Sequence, residues 1–384
     1  MPLTATERLR ISRRAFLAAL GGASLLANPA SSTQAFAEHL AWMDRADAPL
    51  FASARKQPDG SFAIAVFDDS GRELARVPLP DRGHGLALSP DRQVMVAFAR
   101  RPGTFALAIR PFTNASPRLI SSIQGRHFYG HGCFSGGGRF LYTVENDYEN
   151  ARGVLGVYDM TDESPRRLGE LDTFGTGPHD ILALPDGKTL VVANGGIQTH
   201  PDRPREKLNL GTMRPSIVFL DAATGDLRAK HELTADLHQL SLRHMALDGA
   251  GRVWVGGQHQ DKTASPPLVG FVSPDRELTL CPLPDRFTGL LDNYIGSVTA
   301  NRTGDVIATS APRGNRILFW NAETGNFIPD QTVPDGCGIA PIDRDGFLVS
   351  DGLGGLTYLD APDSQPLVLS RPPGVAWDNH LFAL

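Results

Sequence analysis

Residues 179–196 read HDILALPDGKTLVVANGG, and this stretch decides the fold. Two short apolar runs flank a Pro-Asp-Gly-Lys turn at residues 185–188. Apolar and β-branched runs bounded by Gly, Pro and Asp indicate strands joined by a tight turn. The stretch therefore predicts an antiparallel β-hairpin whose first strand opens with a histidine.

The same hairpin pattern recurs along the chain. Clear copies are HGLALSPDRQVMVAFAR (84–100), HGCFSGGGRFLYTVEN (131–146) and HMALDGAGRVWVGGQ (244–258), with weaker copies at 297–311 and 337–352. The residues that open the first strand of each unit, here called the anchors, are His84, His131, His179, His244, Ser297, Cys337 and His380. They are separated by 47, 48, 65, 53, 40 and 43 residues. This spacing is typical of the four-stranded blades of a β-propeller.

The two chain ends predict how the ring closes. The segment NHLFAL (379–384) supplies one strand, and residues 50–79 supply three strands without an anchor. Together they complete one blade, which leaves no unpaired sheet edge. The predicted fold is all-β, a single seven-bladed β-propeller of four-stranded blades, with the C-terminal strand joining three N-terminal strands.

The N-terminus has the pattern of an export signal. Twin arginines in SRRAFL (12–17) precede a mildly apolar stretch, and Ala35-Phe36-Ala37 offers a cleavage site. This pattern is that of a twin-arginine signal peptide over residues 1–37, with the propeller domain over 38–384. We therefore expect the mature protein in the periplasm.

Composition excludes several classes of function. The chain has 384 residues with 37 Lys and Arg against 42 Asp and Glu; without residues 1–37 the count becomes 33 against 41, a net charge of −8. An acidic protein is a poor partner for nucleic acid or anionic lipid. No apolar run is long enough for an integral membrane segment. The sequence also lacks nucleotide-binding glycine loops, a haem-attachment motif, a nucleophile elbow and a zinc-protease helix motif.

The anchors are the candidate metal site. Inner strands line the central channel of a propeller, so equivalent residues form a ring at its mouth. Imidazole and thiolate groups suit iron, copper or zinc. The candidate metal ligands are His84, His131, His179, His244, Cys337 and His380. A subset such as His131, His179 and His244 fits a single ion better than the whole ring. The alternative is a structural histidine, inherited by duplicated blades for a hydrogen bond between strands.

Long loops on the anchor side predict a ligand-binding face, because irregular insertions on one face usually form the binding surface. The candidate residues there are Glu145, Asp147, Asp180, His200, Arg243 and His259. The alternative is an ordinary solvated loop surface. The adjacent pair His179–Asp180 is a weak signal for base catalysis, because neighbours on a strand point to opposite faces.

Several stretches carry a family resemblance: GGIQTHPDRPREKLNL (195–210), MRPSIVFLD (213–221), SLRHMAL (241–247), DNYIGSV (292–298) and CGIAPI (337–342). With SRRAFL and the YVTN-like repeat at 177–196, the chain resembles a family of twin-arginine-exported propellers known as domain of unknown function fifteen-thirteen. The resemblance implies a periplasmic protein encoded beside imelysin-like, iron-regulated proteins, and hence imelysin-like partners in iron acquisition. It implies no activity and no catalytic residues.

Three functions stay open on this basis. The first is a periplasmic protein that binds iron or copper, or a metal-containing ligand, at the channel mouth. The second is a metal-dependent enzyme, lactonase-like or redox-active, that uses the same face. The third is a non-catalytic platform whose loops bind a partner protein.

Overall fold

A computed structural model describes residues 49–110, 116–203 and 206–384. The predicted signal peptide lies outside these residues, so the division at residues 37 and 38 stays a prediction. The described residues form seven antiparallel sheets, six of four strands and one that combines both chain ends. The predicted seven-bladed propeller is confirmed.

The strands follow one another blade by blade along the chain. The N-terminal strands are β1 (Leu50–Lys56), β2 (Phe62–Asp68) and β3 (Glu73–Leu79). Blade 1 contains β4 (Gly83–Leu88), β5 (Met95–Ala99), β6 (Phe105–Ile109) and β7 (Arg118–Ser121). Blade 2 contains β8 (Arg126–Phe134), β9 (Phe140–Asp147), β10 (Arg152–Asp159) and β11 (Arg166–Asp172). Blade 3 contains β12 (Pro178–Ala183), β13 (Thr189–Asn194), β14 (Ser216–Asp221) and β15 (Leu227–Glu232).

Blades 4 to 6 repeat this order. Blade 4 contains β16 (Leu240–Leu247), β17 (Val253–His259), β18 (Val269–Ser273) and β19 (Arg276–Leu280). Blade 5 contains β20 (Ser297–Ala300), β21 (Val306–Ala311), β22 (Arg316–Asn321) and β23 (Phe327–Thr332). Blade 6 contains β24 (Gly336–Pro341), β25 (Phe347–Asp351), β26 (Leu356–Leu359) and β27 (Leu367–Ser370). Short 3₁₀ turns lie at Leu210–Thr212, Ala235–Leu237, Asp285–Phe287 and Pro312–Gly314.

Blade 7 closes the ring as predicted. Its inner strand is split into β28 (Ala376–Trp377) and β29 (Phe382–Ala383), and both parts pair antiparallel with β1. Trp377 packs on Phe67 of β2 with ring centroids 5.0 Å apart, and its indole N–H donates to the Gly354 carbonyl of blade 6 at 3.1 Å. The last strand therefore contacts both its own blade and the preceding one.

The hydrophobic core lies between the blades. Each interface between neighbouring blades in the described chain has its own cluster of buried side chains. At the closing interface, Ile64 and Val66 of blade 7 pack with Met95 and Leu107 of blade 1. The blades present apolar side chains on both faces, which explains the nearly continuous apolar runs in the strands. No helix among the described residues has the length and apolar character needed to cross a bilayer.

Candidate metal centre

The strands that carry the anchors break their pairing register at the anchor position. Breaks lie at Gly83–Leu86, Phe128–Gly132, Pro178–Asp180, Leu242–Met245 and Gly336–Ile339. The inner strand of blade 5, whose anchor is Ser297, pairs with its neighbour without a break. In blade 7, residues 378–381 separate β28 from β29. A β-bulge redirects a side chain out of the regular pleat, and here the breaks at the histidine anchors accompany rings that turn toward one another.

The five anchor histidines form one compact cluster, here called the imidazole cluster: His84, His131, His179, His244 and His380. Ring centroids lie 4.5 Å apart for His84 and His380, 4.6 Å for His131 and His380, and 4.6 Å for His179 and His244. The largest separation among these ring contacts is 6.5 Å, between His84 and His244. The five anchor histidines therefore meet at the channel axis.

A glycine makes this close approach possible. Gly130 precedes His131 and has a φ of +103°, a conformation that side-chain-bearing residues rarely adopt. A Cβ atom at Gly130 would lie 2.6 Å from Cδ2 of His84. Any larger residue would therefore force the His84 ring out of the cluster.

Two overlapping triads within the cluster have the spacing of metal ligands. His84, His131 and His380 form the first triad, and His131, His179 and His244 form the second. In each triad the candidate ligand atoms lie within 4.8 Å of one another. The Nε2 atoms of His84 and His380 are 3.3 Å apart. Two nitrogens on a tetrahedral ion with metal–nitrogen bonds of 2.0–2.1 Å are separated by about 3.4 Å, so this pair already has ligand spacing.

Two buried carboxylates orient the first triad. Asp378 Oδ1 lies 2.7 Å from Nδ1 of His84, and Asp180 Oδ1 lies 3.4 Å from Nδ1 of His131. When Nδ1–H donates to a carboxylate, the lone pair of the ring is on Nε2. Asp378 also contacts Arg82 at 2.7 Å and Arg100 at 3.2 Å. Asp378 is thus fixed from several sides and presents Nε2 of the His84 ring as an acceptor toward the cluster.

Backbone groups hold the second carboxylate. The Met245 amide donates to Oδ2 of Asp180 at 2.9 Å, and the Ile181 amide donates to its Oδ1 at 2.8 Å. The carboxylate of Asp180, in blade 3, therefore contacts His131 of blade 2, whereas the ring of its neighbour His179 is itself a member of the cluster.

Burial keeps the imidazoles neutral. It lowers the pKa of His84 to about 4, although the Asp378 carboxylate acts in the opposite direction. Burial and the neighbouring rings lower the pKa of His179, His244 and His380 well below the usual 6.5. Burial also lowers the pKa of His131, against the effect of Asp180. Neutral imidazole is the form that binds metal ions.

The pKa values of the two carboxylates shift in opposite directions. Burial raises the pKa of Asp180, and the nearby His131 ring and two backbone amides oppose it only in part. Burial would also raise the pKa of Asp378, but His84 and the guanidinium groups of Arg100 and Arg82 outweigh it, so that pKa is lowered. Asp378 is therefore the firmly ionised partner of the cluster.

Several ring nitrogens in the cluster have no hydrogen-bond partner. Within the described part of the chain this holds for Nε2 of His131, Nδ1 of His179 and Nδ1 of His244. Buried polar atoms in folded proteins are nearly always hydrogen-bonded, because an unpaired one costs about 1–3 kcal/mol. A purely structural hydrogen-bonding role does not account for these three atoms.

Cys337 does not join either triad. Its Sγ lies 3.4 Å from the carbonyl oxygens of both Ser350 and Asp378, and burial raises the pKa of the thiol. It packs in the hydrophobic cluster between blades 6 and 7. The bulge at this anchor thus directs a thiol toward backbone carbonyls instead of the channel axis.

Two predicted loop residues belong to a buried ion-pair network in blade 2. Glu145 and Asp147 lie on β9 and are fully buried, rather than lying in a loop on the ligand face. Glu145 accepts from Arg167 at 3.0 Å, and Asp147 contacts Arg126 at 2.8 Å and Arg152 at 2.9 Å. Their carboxylates therefore neutralise arginines of their own blade.

The two predicted loop histidines have local partners. His200 is half-buried with its ring edge against Tyr148, at a centroid distance of 5.1 Å, and its Nδ1 accepts from the Asp202 amide at 3.2 Å. His259 ends β17, and its Nδ1 donates to the Asp261 carbonyl at 3.0 Å.

Arg243, like Asp180, is a predicted ligand-face residue that contacts the cluster. It is half-buried, and its guanidinium lies 3.5 Å from Nε2 of His179. Burial lowers the pKa of Arg243 to about 10; the charges of Arg101, Arg100 and Arg313 act in the same direction, and Tyr294 opposes them. The guanidinium stays protonated at neutral pH, so a positive charge borders the second triad.

A cavity of about 510 Å³ lies on the other side of the cluster, inside the channel. Its polar end is formed by His131, Asp180, His244 and His380. Apolar inner-strand side chains line the rest, including Leu86, Leu182 and Ile339. The imidazole cluster therefore separates a charged outer face from a largely apolar inner channel.

Comparisons with known proteins agree with this architecture. The family model DUF1513, a protein of unknown function, matches residues 77–384, which confirms the resemblance seen in the sequence. None of the curated proteins compared with the chain matches it.

Solved structures show the same fold at low sequence identity. Hydrazine synthase of Kuenenia stuttgartiensis is similar at a TM-score of 0.58 and 14% identity, with 80% of this chain and 94% of that chain covered. The periplasmic gluconolactonase PpgL of Pseudomonas aeruginosa gives a TM-score of 0.56 and 14% identity, covering 86% and 99%. The β-propeller domain of Myceliophteria thermophila Cps50 (Swd1) gives 0.54 and 13%, covering 78% and 89%. At these identities the likeness concerns the fold alone.

Proposed function

We propose that this chain, which belongs to the DUF1513 family of proteins of unknown function, binds a transition-metal ion, iron or copper, at the imidazole cluster. The observation that carries the proposal is the set of buried, neutral imidazoles, which form two triads whose candidate ligand atoms lie within 4.8 Å of one another. A metal ion bound by one triad contacts three imidazole nitrogens at once, which no single hydrogen-bond donor does. Imidazole donors suit copper, iron and zinc, and copper(II) binds nitrogen sites most tightly of these.

The first triad, His84, His131 and His380, is the better ligand set. The His84 ring is hydrogen-bonded to a carboxylate, as in the carboxylate–histidine–metal arrangement of known metal sites, and the His131 ring lies 3.4 Å from a second carboxylate. In the second triad, His179 faces the Arg243 guanidinium, which repels a cation. Because His131 belongs to both triads, it supplies its Nε2 lone pair to one ion at a time.

The cellular role follows from the sequence. The twin-arginine pattern and the family resemblance support a periplasmic protein that acts in iron acquisition or handling beside imelysin-like partners. Residues 38–384 have a net charge of −8, which argues against nucleic acid as a further partner.

The proposal is tested by titrating chelator-treated full-length protein with Cu²⁺, Fe²⁺ and Zn²⁺ in turn. We expect one tight site, lost in His380→Gln and kept in His244→Gln, because only His380 belongs to the first triad. His238→Gln, a histidine outside the cluster, is the matched control. Saturable binding that survives His84→Gln with His380→Gln would contradict the triad assignment.

A metal-dependent enzyme is the second candidate, and one observation favours it. Three protein ligands with an open position are typical of catalytic metal sites, and the 510 Å³ cavity adjoins the same histidines. The metal-loaded protein is therefore assayed for lactone hydrolysis and for oxidase activity. Turnover that is lost in His380→Gln would favour the enzyme over a carrier.

A further inference from the structure

The cavity of about 510 Å³ inside the channel has a single acidic side chain at its polar end. Among the described residues that line it, Asp180 is the one carboxylate, it lies beside His131 and His244, and none is a lysine or an arginine. Pro90, in the turn after β4, lines the far end and is exposed. A ligand from solvent can therefore enter past Pro90 and reach the carboxylate at the inner end.

Asp180 lacks the cationic partners that the other carboxylate beside the imidazole cluster has. Asp378 contacts Arg82 at 2.7 Å and Arg100 at 3.2 Å. Asp180 accepts from two backbone amides and lies 3.4 Å from the His131 ring, and no lysine or arginine pairs with it in the described ranges. A buried carboxylate without a cation is unfavourable, because burial removes the water that stabilises its charge. The cavity therefore favours a ligand that carries a positive charge.

The polar end also offers hydrogen-bond acceptors to such a ligand. Nε2 of His131 has no hydrogen-bond partner in the part of the chain that the structure describes, and it keeps the lone pair when Nδ1–H points to Asp180. A primary ammonium group has three N–H donors, so it can donate to a carboxylate and to an imidazole nitrogen together. Hydrogen bonds that involve ionised groups are stronger than those between neutral groups.

The walls of the cavity define the rest of the ligand. Leu86, Leu182 and Ile339 are among the apolar side chains that line it. From Asp180 to Ala183, β12 follows the channel for about 10 Å at the usual rise of a strand. Cavities of this size, with apolar walls and a few polar groups, bind small molecules and bury most of their surface. A short apolar chain or a ring therefore fits behind the charged group.

We propose that the channel cavity binds a small organic ammonium ion with an apolar body, and that Asp180 is its counter-ion. The ammonium group lies beside Asp180 and His131, and the apolar body extends along β12 toward Pro90. This binding requires no metal ion, so the inference stands apart from the proposed function.

The test uses chelator-treated full-length protein without added metal. Hexylamine, 1-hexanol and hexanoate share one apolar chain and are titrated separately by calorimetry. We expect hexylamine to bind more tightly than hexanol by about tenfold or more, because only the ammonium group forms a charge-assisted hydrogen bond with the carboxylate, and hexanoate to bind most weakly. Butylamine should bind about tenfold more weakly than hexylamine, since each buried methylene strengthens binding about fourfold.

Two variants locate the ligand. Asp180→Asn removes the counter-ion, so hexylamine should bind about tenfold more weakly, whereas hexanol binding should change little. Thr299→Phe places a ring in the cavity from β20 and should weaken the binding of both ligands. Asp202→Asn is the matched control, because the Asp202 carboxylate is 87% exposed in the loop between β13 and β14, and it should bind hexylamine as the wild type does. Circular dichroism verifies that each variant is folded.

Absence of hexylamine binding at millimolar concentration, or equal affinities for hexylamine and hexanol, would overturn the ammonium site. This comparison uses the wild type, so it decides the question even if a variant fails to fold. Unchanged hexylamine binding in Thr299→Phe would remove the ligand from the channel, and equal weakening in Asp180→Asn and Asp202→Asn would reduce the effect to general electrostatics. The metal titration contains no amine, so either proposal can fail while the other stands.

Discussion

Mild acid is expected to destabilise the metal-free protein through the imidazole cluster. His84, His244 and His380 are buried, and their pKa values in the folded chain lie far below the ordinary 6.5. In the unfolded chain these rings take up protons as the pH falls through 6.5, whereas in the folded chain they stay neutral. Unfolding is therefore coupled to proton uptake, and stability falls as the pH falls.

The size of the effect follows from the linkage relation. Lowering the pH from 7 to 5.5 costs about 1.2 kcal/mol for each histidine that titrates at 6.5 when unfolded and stays neutral over this range when folded. The three rings together cost about 4 kcal/mol, a large part of a typical domain stability of about 5–15 kcal/mol. Asp180 acts in the opposite direction, because its raised pKa favours proton uptake by the folded chain.

The assay is urea unfolding of chelator-treated protein at pH 7 and pH 5.5, followed by tryptophan fluorescence. We expect the midpoint to fall by about 1 M or more at the lower pH. His380→Gln should reduce the pH-dependent loss by about 1.2 kcal/mol, since one proton is no longer taken up on unfolding. A midpoint unchanged between the two pH values, or a loss of the same size in His380→Gln, would refute the reasoning.

Three further predictions concern single residues. Asp378→Asn should weaken metal binding by about 10- to 100-fold, because the carboxylate that orients His84 is lost; this is measured by competition with a chelator of known affinity. Cys337→Ser should leave metal affinity unchanged, because the thiol faces backbone carbonyls; a clear weakening in the same competition assay would place sulfur in the site. Trp377→Ala should lower the free energy of unfolding by about 3–5 kcal/mol, since it leaves a cavity between blades 6 and 7, whereas the exposed Leu353→Ala should be nearly neutral in urea unfolding.

Local sequence patterns predicted the propeller because each blade repeats its own turn chemistry. The Pro-Asp-Gly turn at 185–188 and its relatives mark the hairpins without reference to the rest of the chain. The same periodicity placed one histidine at the start of most inner strands. The unequal division of strands between the two chain ends then predicted the closure between β28, β29 and β1, which the structure confirms.

The detailed geometry of the cluster depends on features that strand alternation does not encode. Simple alternation sends His179 and Asp180 to opposite faces, but the break in register between Pro178 and Asp180 changes the direction of both side chains. The partners are also distant in sequence, and Asp378 lies 294 positions from His84. In the sequence, Asp378 is distinguished only as a carboxylate two residues before His380, the final anchor.

Glu145 and Asp147 show a second limit of prediction from the sequence. Glu145 and Asp147 lie at the end of β9, and the long connection beside them led to their prediction on the ligand face. Their arginine partners lie on other strands of the same blade, and such pairs bury charge within a sheet.

Elemental analysis of the protein exported to the periplasm and purified without chelators tests the central claim most directly. We expect one iron or copper ion per chain, reduced to background in His380→Gln and retained in His238→Gln. Metal at background in the wild type, together with failure of the chelator-treated protein to bind Cu²⁺, Fe²⁺ or Zn²⁺, would contradict the account.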